Sequence, residues 1–191
     1  MKGKLPLLTA AILMCAGMAF AQGGTISLFA DVSGADCNLR DAAPGLCNVF
    51  IVHVSAPAVS GSEFGVSEPT CLLAAFLSYT PIWGVDIAAN PAAPLQGRSV
   101  GYGGCFGSPI LVGTLAYFCQ ALTGPCCIQG VIAHSITGVV SAVDCNSNPL
   151  TPTCSVAYWN PNAGCTCNVG NGGCTVAVHT TTWGQIKSMY E

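Results

Sequence analysis

The chain has 191 residues, of which 51% are hydrophobic and only 7% charged, with a formal net charge of −3. Disordered chains are poor in apolar residues and rich in net charge, so this composition excludes them. Five Lys+Arg against eight Asp+Glu cannot build a basic stripe, which excludes a nucleic-acid partner. The 23 Gly and 12 Pro exclude a long coiled coil, and 13 Cys point to a small, disulfide-rich, exported globular protein.

Residues 1–21 read as a secretory signal peptide. Lys2 and Lys4 precede an uncharged run from Leu5 to Met18, and Ala19-Phe20-Ala21 matches the small-x-small cleavage pattern, which makes Gln22 the expected mature start. The run could almost span a bilayer, but it ends at that cleavage site and at turn-forming Gly23-Gly24. Met14 before Cys15 is too large for a lipoprotein site. The mature chain keeps Arg40, Arg98 and Lys187 against all eight acids, a formal charge of −5. Pro81 and Asp86 interrupt the longest later apolar stretch, Leu72 to Ala89, so no membrane span is expected after cleavage.

From Gln22 onward the pattern is one of short strands separated by turns. Thr25 to Ala30 alternates ahead of the polar turn Asp31 to Asp36, and Asn48 to Ser55 is rich in β-branched residues. Further strand-like runs fall at 62–67, 71–79, 83–88, 98–104, 109–119, 128–133, 136–144, 154–159 and 174–180. A short helix within Val59–Phe64 or Cys71–Ser78 is an alternative at those places. Ile110 to Cys119 is apolar at both parities and is expected to be a central strand buried on both faces. Pro- and Gly-rich breaks such as Thr123-Gly124-Pro125 and Asn160 to Gly164 divide the runs without marking a linker. The expected fold is all-β: a disulfide-rich antiparallel β-sandwich over residues 22–180, with a short amphipathic C-terminal helix over 181–191.

Twelve cysteines follow the cleavage site: Cys37, Cys47, Cys71, Cys105, Cys119, Cys126, Cys127, Cys145, Cys154, Cys165, Cys167 and Cys174. An even number in an exported chain points to disulfides. Connectivity cannot be read from the sequence; the expected pairings are Cys37 with Cys47, Cys71 with Cys105, and a shared cluster of Cys126, Cys127, Cys165 and Cys167. A thiolate metal site in that cluster is disfavoured, because zinc knuckles and redox sites use C-x2-C and the chain has none.

No catalytic set stands out. His53 lies inside an apolar strand pattern, His134 between two apolar runs, and His179 in the last strand-like run. No G-x-S-x-G elbow is present, and no spacing selects a carboxylate pair among Asp31, Asp36, Asp41, Glu63, Glu68, Asp86 and Asp144. Gly101 to Gly107 fails the dinucleotide pattern, since Phe106 holds its third glycine position. Asp31, Ser33 and Asp36 could offer oxygens to calcium, but turn chemistry accounts for them better. No cofactor is expected. In the tail, Thr181-Thr182 can cap a helix that places Trp183, Ile186 and Met189 or Tyr190 on one side. That stripe would either pack on the domain or act as a docking and retention face.

Gly24 to Leu28, Asp36-Cys37-Asn38-Leu39, Gly101 to Cys105, Pro125-Cys126-Cys127, Asp144-Cys145, Cys165-x-Cys167 and the closing Thr182-Trp183-Gly184-Gln185-Ile186-Lys187 run through nearly the whole mature chain. In this arrangement the chain resembles a group of secreted, Cys-rich bacterial proteins ending in a TWGxIK-type tail, a resemblance that implies export and no particular chemistry. More loosely, Ser62 to Val66 followed by a long run of strands is similar to cohesin-like β-sandwich modules, which implies fold alone. Together these readings predict a non-enzymatic secreted or cell-surface protein, extracellular or periplasmic, with a protein or glycan as partner. A carbohydrate- or small-ligand-binding module using Trp83, Tyr102, Tyr158 and Trp159 is the alternative, and a secreted hydrolase using a histidine is the second.

Overall fold

A computed structural model describes residues 22–69, 71–83, 85–88 and 95–167. Among these residues the chain forms twelve strands and no helix: β1 (Gln22–Phe29), β2 (Asn38–Leu39), β3 (Gly45–Val54), β4 (Val59–Val66), β5 (Ala74–Pro81), β6 (Val85–Ala88), β7 (Arg98–Phe106), β8 (Ile110–Cys119), β9 (Cys127–Ile132), β10 (Ser141–Asp144), β11 (Pro149–Cys154) and β12 (Val156–Trp159). Both segments with a helical alternative are strands, β4 pairing with β7, β9 and β10 and β5 pairing with β8. The expected strand at 136–144 shortens to β10, since residues 134–138 close a turn in which the Gly138 amide donates to the His134 carbonyl. Residues 174–180 and the tail with Trp183, Ile186, Met189 and Tyr190 lie outside the described residues.

One layer runs β5–β8–β3–β1, with the long β3–β8 ladder from Gly45↔Cys119 to His53↔Ile110 at its centre. The other runs β6–β7–β4–β10, and β9–β12–β2 continues from the end of β4 through Gly65↔Ile132 and Val66↔Val131. Strand β11 joins the layers, since Pro149 and Leu150 pair with β10 while Thr151 to Cys154 lie on β1. The sandwich is mostly antiparallel, but β1–β11 and β2–β12 are parallel pairs, a correction to the purely antiparallel expectation. At the start of β1, Gly24 has φ +76°, and a Cβ there would meet Ala56 and the Val54 carbonyl at 2.6 Å, so only glycine fits this irregularity.

Alternation fills the space between the layers. Cys47, Val49 and Ile51 of β3 and Val112, Leu115 and Tyr117 of β8 face Phe64, Val66, Val100, Val131 and Trp159, all buried. Each such aliphatic or aromatic side chain contributes about 1.5–3 kcal/mol by leaving water. A polar thread crosses this core. Trp159 Nε1 donates to Gln129 Oε1 at 3.0 Å, and Gln129 Nε2 donates to the Tyr117 hydroxyl at 2.7 Å and to the Ser67 carbonyl at 3.2 Å. Burial pushes the Tyr117 phenol up to about 12, with the Gln129 bond opposing it and Glu68 adding to it. Strand β8 is not the central, doubly buried strand expected. It lies next to edge strand β5, with its inner face buried and Phe118 exposed on its outer face.

Five disulfides clamp the described fold: Cys37–Cys167, Cys47–Cys119, Cys71–Cys127, Cys105–Cys145 and Cys126–Cys165. Cys154 is also disulfide-bonded. The pairings Cys37–Cys47 and Cys71–Cys105 are thus corrected, because bridges join residues that sheet pairing brings together rather than neighbours in sequence. In the expected four-cysteine cluster only Cys126 and Cys165 bond each other. Cys127 reaches Cys71 and Cys167 reaches Cys37, so none of the four remains a thiolate for a metal. The Cys37–Cys167 bridge covers a smaller cluster on the outer side of the first layer, where Phe29, Val52 and Val54 are buried with Phe50, Leu111 and Tyr158 against them.

Candidate functional site

The outer face of β10–β4–β7 holds an open trough of about 460 Å³. Two cross-strand rows make its floor: Ser141–Glu63–Ser99, and Val143–Gly61–Gly101. Small residues are required at the centre, since a Cβ at Gly61 would meet the Val100 carbonyl at 2.9 Å. Glu63 is the one carboxylate among the residues lining this trough. Its Oε1 accepts the Thr137 hydroxyl at 3.0 Å and its Oε2 the Ser141 hydroxyl at 3.2 Å, leaving lone pairs turned to solvent from a side chain that is 23% exposed.

This is also where a serine, an acid and a histidine converge, with His134 Nδ1 3.6 Å from Glu63 Oε1. The order is wrong for nucleophilic catalysis. A catalytic histidine stands between the hydroxyl and the acid so that it can take the hydroxyl proton. Here the acid stands between them, Ser141 donates directly to Glu63, and the ring of His134 is 2% exposed. His134 Nδ1 accepts the backbone amides of Ile136 and Thr137 at 3.2 and 3.4 Å, so the ring organises the turn after β9. The arrangement can accept hydrogen bonds from a partner's hydroxyl, amide or ammonium groups.

Four other titratable groups, His53, Asp31, Asp41 and Asp144, are committed to structure. His53 Nε2 bonds the Gly23 carbonyl inside the sandwich, and burial lowers its pKa against the opposing effect of that bond. Asp31 lies below its ordinary range chiefly through the Ser33 hydroxyl, and both its oxygens receive donors from its own turn. That carboxylate closes the Asp31–Asp36 turn through these donors. At Asp41 desolvation acts upward, but Thr123 and Asn160 together hold the carboxyl below normal. Asp144 is lowered first by the Asn148 side chain, then by backbone amides of its loop. Among the described residues no group of three His, Cys, Asp or Glu is placed to hold a metal ion. His179 lies outside the described residues.

The aromatic candidates for sugar stacking do not form a platform. Trp159 and Tyr102 are buried, and Tyr102 donates to Ser62 Oγ at 2.7 Å, its phenol pushed up to about 12 by burial. Trp83 is half-buried, packs on Phe106 with ring centroids 4.6 Å apart, and donates to the Leu111 carbonyl at 2.7 Å. Tyr158 packs half-buried on the outer cluster. Sequence reasoning missed the Glu63–Thr137–Ser141 set, because residues 74 and 78 positions apart meet only through the β4–β10 register.

No family model and no curated protein matches the sequence. Among solved structures the chain is similar to a cohesin module from a family 33 glycoside hydrolase of Clostridium perfringens, at 7% identity and a TM-score of 0.46, covering 74% of this chain and 99% of that one. It is also similar to the sixth cohesin of scaffoldin B from Acetivibrio cellulolyticus, solved in complex with a Cel5 dockerin, at 13% identity and a TM-score of 0.48, covering 74% and 100%.

Proposed function

We propose that the protein is an exported, disulfide-clamped β-sandwich that binds a protein partner at or outside the cell surface without catalysing a reaction, using the Glu63 trough. The supporting observation is the geometry around Glu63, where serine, acid and histidine converge in an order that binds and cannot relay a proton. Five bridges fit an oxidising compartment, and no helix among the described residues is long and apolar enough to cross a membrane. The sequence likeness to exported Cys-rich proteins with a TWGxIK-type tail belongs to the same reading. The packed aromatics weigh against a glycan partner.

The test is fractionation combined with a turnover panel. The protein is expected in the washed cell envelope or medium, with no hydrolysis of ester, peptide or glycoside substrates above a heat-treated control. Turnover abolished by Glu63→Gln or His134→Asn would overturn the reading in favour of the hydrolase alternative.

A further inference from the structure

The polar thread through the core ends on an unspent proton. The Trp159 indole can only donate, so the Gln129 atom facing it is Oε1, and this turns Nε2 toward Tyr117 and Ser67. An amide nitrogen is a donor only. The Tyr117 oxygen therefore accepts from Gln129 at 2.7 Å, and its own O–H has no acceptor among the described residues. Tyr117 is 2% exposed, and a phenol O–H buried that deeply ordinarily has a partner.

The same side chain lines a pocket of about 270 Å³ where edge strand β5 meets the core, with Leu72, Ala74, Phe76 and Leu95 as apolar walls and Glu68 beside them. Ala74 and Phe76 face the core yet stay half-buried, so the sandwich is not sealed here. The walls are held in place. Cys71 is bridged to Cys127, the Leu72 amide donates to the Pro69 carbonyl at 3.3 Å, and the Phe76 ring meets Tyr117 edge-on with centroids 5.6 Å apart.

We propose that this pocket binds a small neutral molecule with an apolar body and one carbonyl or ether oxygen, which takes the Tyr117 proton. Concave, mostly apolar sites with a few placed polar groups are the usual form of small-ligand sites. The Glu68 carboxylate disfavours anions. Burial, with Glu68 adding to it against the Gln129 bond, pushes the phenol up to about 12, so its O–H is a donor at neutral pH. None of these residues belongs to the Glu63 trough.

The test titrates the oxidised mature protein with acetophenone, and with ethylbenzene and benzoate as controls, followed by NMR of the Tyr117 ring. Acetophenone should give a saturable shift of the Tyr117 ring carbon that bears the hydroxyl, ethylbenzene should bind without moving that carbon, and benzoate should not bind. Tyr117→Phe should weaken acetophenone about fivefold and leave ethylbenzene unchanged. Gln129 Nε2 keeps the Ser67 carbonyl as its acceptor in this variant. Ala74→Leu, which adds bulk to the wall, should weaken both ligands. No saturable shift with acetophenone would overturn the proposal and leave the proton to water, as would equal acetophenone affinity in Tyr117→Phe. Benzylamine binding more tightly than acetophenone, and independently of Tyr117, would overturn it by assigning the site to Glu68.

Discussion

One sheet face, read along strand β3, shows two fates for the same alternation. Phe50, Val52 and Val54 point outward at one end and are sealed by Phe29, Tyr158 and the Cys37–Cys167 bridge, while Leu46 points outward at the other end and stands in solvent. The strand alternates through both ends, and its ladder with β8 shifts register once, between Ile51 and Val52. The difference lies in what the rest of the chain lays over them. Burial in this protein is decided by long-range covers, and disulfides are the means of holding a cover down.

The sharpest way to break that contrast is to remove the bridge. Replacing Cys37 and Cys167 together by Ala removes a link between residues 130 apart, but because Cys47–Cys119 and Cys126–Cys165 already shorten the loop it closes, the expected cost is about 3 kcal/mol, measured by urea unfolding. It should also expose Val52 and Phe29 to dye binding. A cost below about 1 kcal/mol would mean that the cover holds without its staple. Gln129→Leu probes the inner side of the sandwich, where it would leave the Trp159 indole and the Tyr117 hydroxyl buried without a partner. The expected loss is about 2–3 kcal/mol in the same unfolding experiment.

A smaller effect comes from His53, buried as neutral imidazole between β1 and β8. Its folded pKa lies below the ordinary 6.5, so the unfolded chain takes up the proton first as pH falls. The stability this group contributes is therefore present above about pH 6.5 and declines below it, by at most about 1.4 kcal/mol per pH unit until the folded pKa is passed. His53→Gln should flatten that part of the pH–stability curve, and an unchanged slope would contradict the assignment. The smallest effect is at the bare end. Leu46→Ala should change stability by less than about 0.5 kcal/mol, which thermal unfolding can verify.

Strand existence was largely legible in the sequence, since runs such as Asn48–Ser55 and Ile110–Cys119 carry the β-branched and alternating pattern that becomes β3 and β8. Strand β11 was not, because Pro149 and Pro152 lack the amide donors that a strand interior uses, yet in the fold this strand bridges two layers and its ladder is short on each side. Disulfide pairing was illegible for a related reason. Cys71 meets Cys127 only because edge strand β5 and strand β9 are brought to the same end of the sandwich, and local spacing holds no record of that. The Glu63 trough depends on the β10–β4–β7 register, so its residues look like ordinary strand serines and glycines in the sequence.

The central claim is that this protein's reactive side chains are spent on holding its shape. A free-thiol count with disulfide peptide mapping on the mature exported protein tests it most directly. The mature protein is expected to have no free thiol, a first residue of Gln22, and the links Cys37–Cys167, Cys47–Cys119, Cys71–Cys127, Cys105–Cys145 and Cys126–Cys165. Free thiols at Cys126, Cys127, Cys165 or Cys167, or a stoichiometric metal bound there, would contradict it and make that end of the molecule a working site.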